Sequence, residues 1–205
     1  MQIIGLTGGS GSGKGVVSKA FAALGAYCID TDALYHAIIS QPSPCVEELK
    51  ERFGADILTE KGAVCRPLLA AKVFCGGAEE KVRLASLNDI THRHILAETR
   101  RLLRLEAEKG RIAAVVDAPL LFESRFHTEC DVTLAVLAPR AVRLSRIIER
   151  DGLAASAAEA RLAAQPTDDF YQTQADFCIV NDGSLDDLIE KATLFWHQNI
   201  IKSQP

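Results

Sequence analysis

The stretch GLTGGSGSGKGVVSKAF, residues 5–21, sets a glycine-rich loop between a short apolar run and a helical pattern. Gly8, Gly13 and Lys14 fit the phosphate-loop pattern G-x-x-x-x-G-K-[ST], in which backbone N–H groups and the lysine bind phosphate. Gly15 stands where the pattern has a serine or threonine, whose hydroxyl normally binds Mg²⁺. The sequence therefore predicts a phosphate site that keeps its cradle of N–H groups and lacks one metal ligand.

The residues after the loop predict a helix that begins at the phosphate site. Apolar side chains recur there at helical spacing, at Val16, Val17, Ala20, Phe21 and Leu24. The N-terminus of such a helix attracts phosphate. A dinucleotide-binding loop is one alternative, because Asp30 follows at a suitable distance to bind a ribose. No register of G-x-G-x-x-G fits, however, since Lys14 or Val16 occupies the last position. An ordinary glycine-rich turn is the other alternative.

Composition limits the classes of function. The chain has 205 residues, of which 48% are apolar, so it can bury one substantial core. A net charge of −4 and a pI near 5.8 argue against a general affinity for nucleic acid, which needs clustered cationic charge. No apolar run reaches membrane-spanning length, and the first residues, MQIIGL, lack the features of a secretory signal. We expect a cytoplasmic, monomeric, single-domain protein that binds neither nucleic acid nor membrane.

The cysteines and histidines do not predict a zinc site. The six cysteines are scattered without a C-x-x-C pair, which favours reduced and mostly buried thiols. His92 and His94 are two residues apart, and on a helix such residues point in different directions.

Five short apolar runs alternate with helical patterns along the chain. They are IIGL at residue 3, AYCI at 26, IAAVV at 112, VTLAVL at 132 and FCIV at 177. Continuous apolar strands separated by helices are typical of a parallel sheet covered on both faces, so we predict a three-layer α/β fold of the P-loop NTPase type. The core is expected over residues 1–32 and 111–205, a helical insertion over 33–110, and a lid over 140–170.

Carboxylates follow two of the apolar runs, where ligands of such folds bind. Asp30 and Asp32 share one side of an extended segment. Asp32 suits a base that accepts the proton of an attacking hydroxyl, but it suits equally an N-cap for a helix beginning at Ala33. Asp117 holds the position of the acidic residue that supports Mg²⁺ in P-loop enzymes. Asp32 and Asp117 are therefore predicted to hold metal through water.

An apolar segment follows Asp117. Pro119 and the Leu-Leu-Phe sequence after it predict an exposed wall for an acceptor, with Leu121 and Phe122 as contacts.

A row of arginines lies further along the chain. Arg143, Arg146 and Arg150 recur at spacings of three and four and share one face of a helix. Solvated surface is one interpretation. The other is a lid, in which guanidinium groups, with Arg161 among them, neutralise charge on the transferred group.

The ordered set of motifs resembles the dephospho-coenzyme A kinase family along nearly the whole chain. The matching pieces are IGLTGGSGSGKG, DTDAL, ERFGADIL, ITHRHI, DAPLLFE, RIIERDGL, AAQ and ADFCIVNDGSLDDL. The resemblance implies transfer of the γ-phosphoryl group of ATP to the ribose 3′-hydroxyl of dephospho-coenzyme A, the last step of coenzyme A biosynthesis. It also implies Mg²⁺ as the cofactor, a helical substrate-binding region and a lid.

The resemblance implies roles for individual residues. The ATP-binding set is Gly11, Ser12, Gly13, Lys14, Gly15, Val16, Arg150 and Asn181, and the substrate-binding set is Thr7, Asp32, His92, Leu121 and Phe122. The predicted catalytic residues are Lys14, which binds the β- and γ-phosphates, Asp32 as the base, and Arg146 in the lid. His92 falls where the family has a His-Pro pair near the acceptor, and Asn181 falls in the segment beside the adenine.

The chain departs from the family's pattern at three places. Gly15 and Val16 replace a Ser-Thr pair, Arg93 replaces the proline of the His-Pro pair, and no cation follows Gln165 in PTDDFYQTQ. These departures bear on metal binding and lid chemistry. Two alternatives therefore stay open: a related P-loop kinase with another nucleotide-like acceptor, and a relative that binds nucleotide but is weakened by the missing hydroxyl.

Overall fold

The computed structural model describes residues 1–200, which form a five-stranded sheet and nine α-helices within that range. The elements are β1 Gln2–Thr7, α1 Lys14–Ala23, β2 Tyr27–Asp30, α2 Thr31–Ile39, α3 Pro44–Phe53, α4 Arg66–Val73, α5 Gly77–Glu108, β3 Ala113–Asp117, β4 Val132–Leu137, α6 Arg140–Asp151, α7 Ala155–Ala163, α8 Asp168–Gln174, β5 Phe177–Val180 and α9 Leu185–Asn199. Each of the five apolar runs forms a strand, as predicted.

The sheet has the strand order β2-β3-β1-β4-β5. The pairs β1–β3, β1–β4 and β4–β5 all run parallel. The chain therefore leaves β1 toward one side of the sheet and later continues on the other side. In open α/β sheets, ligands bind at such a switch point, outside the carboxyl end of the strands. The carboxyl end of β1 is where the glycine-rich loop begins.

Helices cover both faces of the sheet because successive strand residues point to opposite sides. Leu134 and Val136 of β4 pack in one core cluster with Trp196 of α9 and with α1. The alternate residues Ala135 and Leu137 pack on the other side with α8. The predicted three-layer α/β architecture is confirmed.

The described chain divides into two compact units. The first consists of Met1–Ile29 and residues 103–200, and the second is Asp30–Leu102. The second unit contains α2, α3, α4 and most of α5 around its own apolar core. The sequence predicts a helical insertion over 33–110. The second unit ends at Leu102, inside α5, because this helix continues without a break to Glu108. A lid that moves as a separate body stays a prediction.

The beginning of α2 differs from the sequence prediction. The helix starts at Thr31 rather than Ala33, and its N-cap is Asp30, whose carboxylate accepts hydrogen bonds from the N–H groups of Asp32 and Ala33. Asp32 therefore belongs to the first helical turn and is not the cap. The expectation that Asp30 and Asp32 lie on one side of an extended segment is wrong, because the chain turns helical between them.

Within residues 1–200, no helix is both long and apolar enough to cross a membrane.

Candidate active site

The glycine-rich loop between β1 and α1 has a conformation that only glycine adopts readily. Gly11 and Gly13 have φ values of 77° and 107°, in the left-handed region. A Cβ atom on Gly13 would lie 2.5 Å from the side-chain nitrogen of Asn181. The two glycines are thus required both by backbone conformation and by close packing.

Four side chains bind four carbonyl groups of this loop. The donors and acceptors are Lys14 Nζ to Gly8 O at 2.9 Å, Arg143 Nε to Ser10 O at 3.0 Å, a terminal nitrogen of Arg146 to Gly11 O at 3.1 Å, and Asn181 Nδ2 to Ser12 O at 2.8 Å. In a trans peptide, the N–H of the next residue points away from the carbonyl. The N–H groups of Gly11 and Gly13 are therefore directed away from Arg143 and Asn181, as in an anion-binding nest.

The start of α1 adds positive potential to the loop. The helix begins at Lys14, directly after the left-handed Gly13, and its first turn contains no acidic residue. The first N–H groups of any α-helix have no partner within the helix, and the helix dipole favours an anion there. Loop and helix together therefore form a site for phosphate.

Gly15 lies in the first turn of α1, and its surroundings are open. A Cβ atom built there meets no atom within 4 Å. Neither Gly15 nor Val16 carries a side-chain oxygen, so this turn offers no hydroxyl ligand to a metal ion. Among residues 1–200, no group of three or more His, Cys, Asp and Glu side chains could hold a metal ion.

Asp117 lies beside the beginning of the loop. It is the last residue of β3 and is paired in register with Leu6 of β1, while the N–H of Ala118 donates to Leu6 O at 2.9 Å. Thr7 is fully buried next to it, and its hydroxyl donates to Pro119 O at 3.4 Å. The sheet thus brings one carboxylate to the strand end from which the phosphate loop starts.

Asp32 belongs to the second compact unit. Its side chain is exposed in the first turn of α2, and the capping role is taken by Asp30. Within the described residues no donor binds its carboxylate. The structure therefore removes the capping alternative and leaves Asp32 exposed.

The segment after β3 differs from the prediction of an exposed apolar wall. Leu121 is fully buried and Phe122 is 7% exposed, whereas Leu120 is 44% exposed. Phe122 stacks edge-on against Phe170 at a centroid distance of 5.8 Å. The predicted exposure of Leu121 and Phe122 is wrong because this segment folds back on the sheet, and Leu120 presents the exposed surface instead.

The row of arginines on α6 does not form one solvated face. Arg143 is 7% exposed and Arg146 is half-buried, because both bind the phosphate loop. Arg150 is exposed and forms an ion pair with Asp151 at 2.7 Å, and Arg161 binds the same carboxylate at 2.7 Å. Hydrogen bonds from Arg150, together with the charges of both arginines, lower the pKa of Asp151. The first two arginines therefore belong to the loop, and the other two surround a carboxylate.

His92 and Asn181 occupy different surroundings. His92 is half-buried on α5 in the second unit, and its neighbours Arg93 and His94 bind Glu48 at 2.8 and 2.9 Å. Asn181 is 4% exposed, and its backbone N–H donates to Leu137 O at 2.7 Å. Asn181 thus connects the end of β5 to the loop, and contacts of either residue with substrate stay predictions.

These observations define a class of protein. A parallel α/β sheet, a loop with outward-held carbonyls, a lysine at the start of the following helix and a carboxylate on the neighbouring strand are the parts of a P-loop kinase.

Comparison with known proteins identifies the family. The family model described as Dephospho-CoA kinase matches residues 2–187. A dephospho-CoA kinase of Syntrophotalea carbinolica is 39% identical over 186 residues, covering 91% of this chain and 86% of the relative. One from Corynebacterium diphtheriae is 37% identical over 198 residues, covering 97% of each chain. A crystal structure of a Thermus thermophilus protein superposes with a TM-score of 0.77 at 31% identity and 97% coverage of both chains. The chain belongs to the dephospho-CoA kinase family.

Proposed function

We propose that this chain transfers the γ-phosphoryl group of ATP to the ribose 3′-hydroxyl of dephospho-coenzyme A and releases ADP and coenzyme A. The observation that carries the proposal is the phosphate loop, in which Arg143 and Asn181 bind the carbonyls of Ser10 and Ser12 and turn the following N–H groups to the other side, and which leads directly into Lys14 at the start of α1. Membership of the dephospho-CoA kinase family over residues 2–187 supports the choice of acceptor.

On this proposal, Lys14 and the loop bind the triphosphate. The Nζ atom of Lys14 donates to Gly8 O at 2.9 Å, so its charge already lies within the loop. Moving from that carbonyl to the β- and γ-phosphates exchanges a neutral acceptor for an anionic one, and charge-assisted hydrogen bonds are stronger. Gly11, Ser12, Gly13, Gly15 and Val16 supply the surrounding backbone.

Asp32 acts as the base on this proposal. An exposed carboxylate with no donor on its oxygens can accept the proton of the attacking hydroxyl, and its position within the DTDAL motif supports the assignment. His92, Thr7, Leu121 and Phe122 are proposed to contact the acceptor. For Leu121 and Phe122, this requires a conformation that uncovers side chains buried here.

Mg²⁺ fits the oxygen donors of this site. It prefers carboxylate, phosphate and water oxygens in octahedral geometry, and it usually retains several waters. Asp117 supplies a carboxylate at the beginning of the loop, and Asp32 is proposed as the second. When bound, the ion would neutralise charge on the phosphate oxygens. Because Gly15 has no hydroxyl, we propose that both carboxylates hold the ion through water.

The arginines of α6 differ in how directly they can serve catalysis. Arg146 binds Gly11 O, and its second terminal nitrogen lies 3.5 Å from Asn181 Oδ1, so its charge is next to the loop. We assign Arg146 to the stabilisation of charge on the transferred group. A contact of Arg150 with ATP requires breaking its ion pair with Asp151. Asn181 is proposed to lie beside the adenine.

The direct test is an activity assay with purified protein, Mg-ATP and dephospho-coenzyme A. ADP release is followed by a coupled enzyme assay, and the product is identified as coenzyme A by mass spectrometry. Other nucleosides serve as acceptor controls. Lys14→Ala should abolish activity, whereas Lys19→Ala, on an exposed position of the same helix, should retain it.

A second candidate is favoured by one observation, the absence of a side-chain oxygen at Gly15. It is a relative that binds ATP without transferring phosphate efficiently. Tight ATP binding without ADP release at any Mg²⁺ concentration would establish this candidate. ADP release with another nucleoside and not with dephospho-coenzyme A would instead indicate a related P-loop kinase.

A further inference from the structure

Gln165, the last residue of the AAQ piece, binds the phosphate loop directly. Its Oε1 atom accepts hydrogen bonds from the N–H of Ser10 at 2.9 Å and from a terminal nitrogen of Arg143 at 2.7 Å. Its Nε2 atom donates to the Ser10 hydroxyl at 2.8 Å. The amide therefore makes three hydrogen bonds, two with Ser10 across 155 positions of sequence and one with Arg143 across 22 positions.

Arg143 completes the fixation of Ser10. Its Nε atom donates to Ser10 O at 3.0 Å, so the N–H, the carbonyl and the hydroxyl of Ser10 are all bound by Gln165 and Arg143. Arg143 is 7% exposed, and its guanidinium group lies 3.3 Å from the carboxylate of Asp168. A buried cation with this many partners is a rigid support rather than a mobile side chain.

Packing around the two neighbouring glycines leaves the loop little freedom. A Cβ atom on Gly9 would collide with the Arg143 guanidinium and lie 3.0 Å from Gln165 Oε1. On Gly11 it would lie 2.8 Å from Arg143 O. The middle of the loop thus rests on α6 and on the Gln165 amide.

We propose that Gln165 is a positioning residue for the phosphate loop, acting through Ser10 and Arg143. Arg143 binds the Ser10 carbonyl and so directs the N–H of Gly11 to the opposite side before ATP arrives. The Gln165 amide fixes both Arg143 and Ser10 in this arrangement. Without it, ATP binding would have to order the loop, and that cost would appear in the affinity for ATP. The residue lies in the segment after α7, so it also ties that segment to the loop. The inference rests on the proposed ATP site.

The test compares Gln165→Ala, Ser10→Ala and the double variant with the wild-type protein. Gln165→Ala should raise the KM for ATP about tenfold or more, as expected when hydrogen bonds that support a site are lost. The KM for dephospho-coenzyme A should change by less than about twofold, because the acceptor binds other residues. Ser10→Ala removes only the bond from Nε2 and should have a smaller effect of the same kind.

The double variant distinguishes positioning from general stabilisation. Ser10→Ala should add little in the Gln165→Ala background, since its partner is already gone. Gln172→Ala, an exposed glutamine on α8, is the matched control and should leave both KM values unchanged. Melting temperatures of all variants accompany the kinetics.

Two results would overturn the inference. One is a lower melting temperature for Gln165→Ala with an unchanged KM for ATP, and the other is independent, multiplicative effects of the two single variants. If Gln165→Ala does not fold, Ser10→Ala alone decides, and an unchanged KM for ATP refutes the role. A wild-type protein that binds ATP but makes no coenzyme A would contradict the proposed function instead. ATP affinity, measured by calorimetry, would then test Gln165 independently.

Discussion

Replacing Gly15 with serine tests whether the missing hydroxyl limits the use of Mg²⁺. Gly15 is the second residue of α1, and its φ does not lie in the left-handed region. Because a Cβ atom there meets nothing within 4 Å, serine fits without strain. Any change in Gly15→Ser must therefore come from the added oxygen or from the helix propensity of the residue.

The two contributions differ in size. Glycine is about 1 kcal/mol less favourable than alanine inside a helix and serine lies roughly midway, so the unfolding free energy should rise by at most about 0.5 kcal/mol. For a chain of this size, that corresponds to roughly 1–2 °C in melting temperature. A new oxygen on the ion resembles a hydrogen bond to a charged group, about 1.5–3 kcal/mol, so half-maximal activity should need about tenfold less Mg²⁺.

The assay is a titration of Mg²⁺ at fixed ATP and saturating dephospho-coenzyme A, with Gly15→Ala as the control. Alanine has the same Cβ and a larger gain in helix propensity but no oxygen. Only Gly15→Ser should shift the Mg²⁺ curve, while both variants should melt at higher temperature. Identical Mg²⁺ curves for all three proteins would refute the reasoning, and equal shifts for serine and alanine would assign the effect to the helix.

Three further predictions concern single residues. Asp32→Asn keeps the shape of the side chain but removes its basicity, so turnover should fall by about 10²-fold or more with little change in ATP affinity; unchanged turnover in the coupled assay would exclude it as the base. Arg146→Lys keeps the charge but not the contact of two nitrogens with Gly11 O and Asn181. Activity should fall about tenfold, while the unfolding free energy drops by no more than about 1 kcal/mol. Full activity would show that this arginine has only a structural role. Burial raises the pKa of the Cys130 thiol to about 12, so this thiol is protonated at pH 8. A maleimide should therefore label the exposed Cys75 long before Cys130, as followed by peptide mass spectrometry. Equal labelling rates would contradict the burial of Cys130.

The strands could be predicted from the sequence because each is a continuous apolar run. The runs at residues 112 and 132 become β3 and β4, whose residues are almost all buried on both faces. Such strands can be recognised without knowing which strands pair with each other. The phosphate loop could also be predicted from a short stretch of sequence, since the glycines and Lys14 follow one another in the order that the fold requires.

Exposure in irregular segments and long-range contacts could not be predicted in this way. Leu121 and Phe122 lie in a turn with no periodicity, so nothing in the sequence distinguishes them from exposed Leu120. The row from Arg143 to Arg150 has uniform helical spacing, yet only its beginning is buried, because the loop that contacts it lies 133 residues earlier in the chain. Gln165 belongs to the AAQ piece of the family resemblance, but no spacing or periodicity indicates that its side chain binds the loop.

The cap of α2 shows a different limit. Asp30, Thr31 and Asp32 are all residue types that cap helices well, so the sequence alone leaves the helix start uncertain by two residues. The structure selects Asp30 because β2 ends there in extended conformation, with φ −91° and ψ 110°. This choice matters for chemistry, since it leaves the carboxylate of Asp32 without a structural partner among the described residues.

The phosphate cradle and the metal ligand are separate parts of this loop. The loop carbonyls are held by Lys14, Arg143, Arg146 and Asn181, none of which depends on a side chain at Gly15. A serine at that position would offer a ligand to Mg²⁺. Its Cβ atom would meet no atom within 4 Å, so it would not help to hold the loop carbonyls. The absence of a hydroxyl at Gly15 therefore leaves these carbonyl contacts intact, and on the proposed function Mg²⁺ would be held by phosphate, water and carboxylates. For this reason, we expect a change at Gly15 to appear in the Mg²⁺ dependence, and a change at Gln165 to appear in the affinity for ATP.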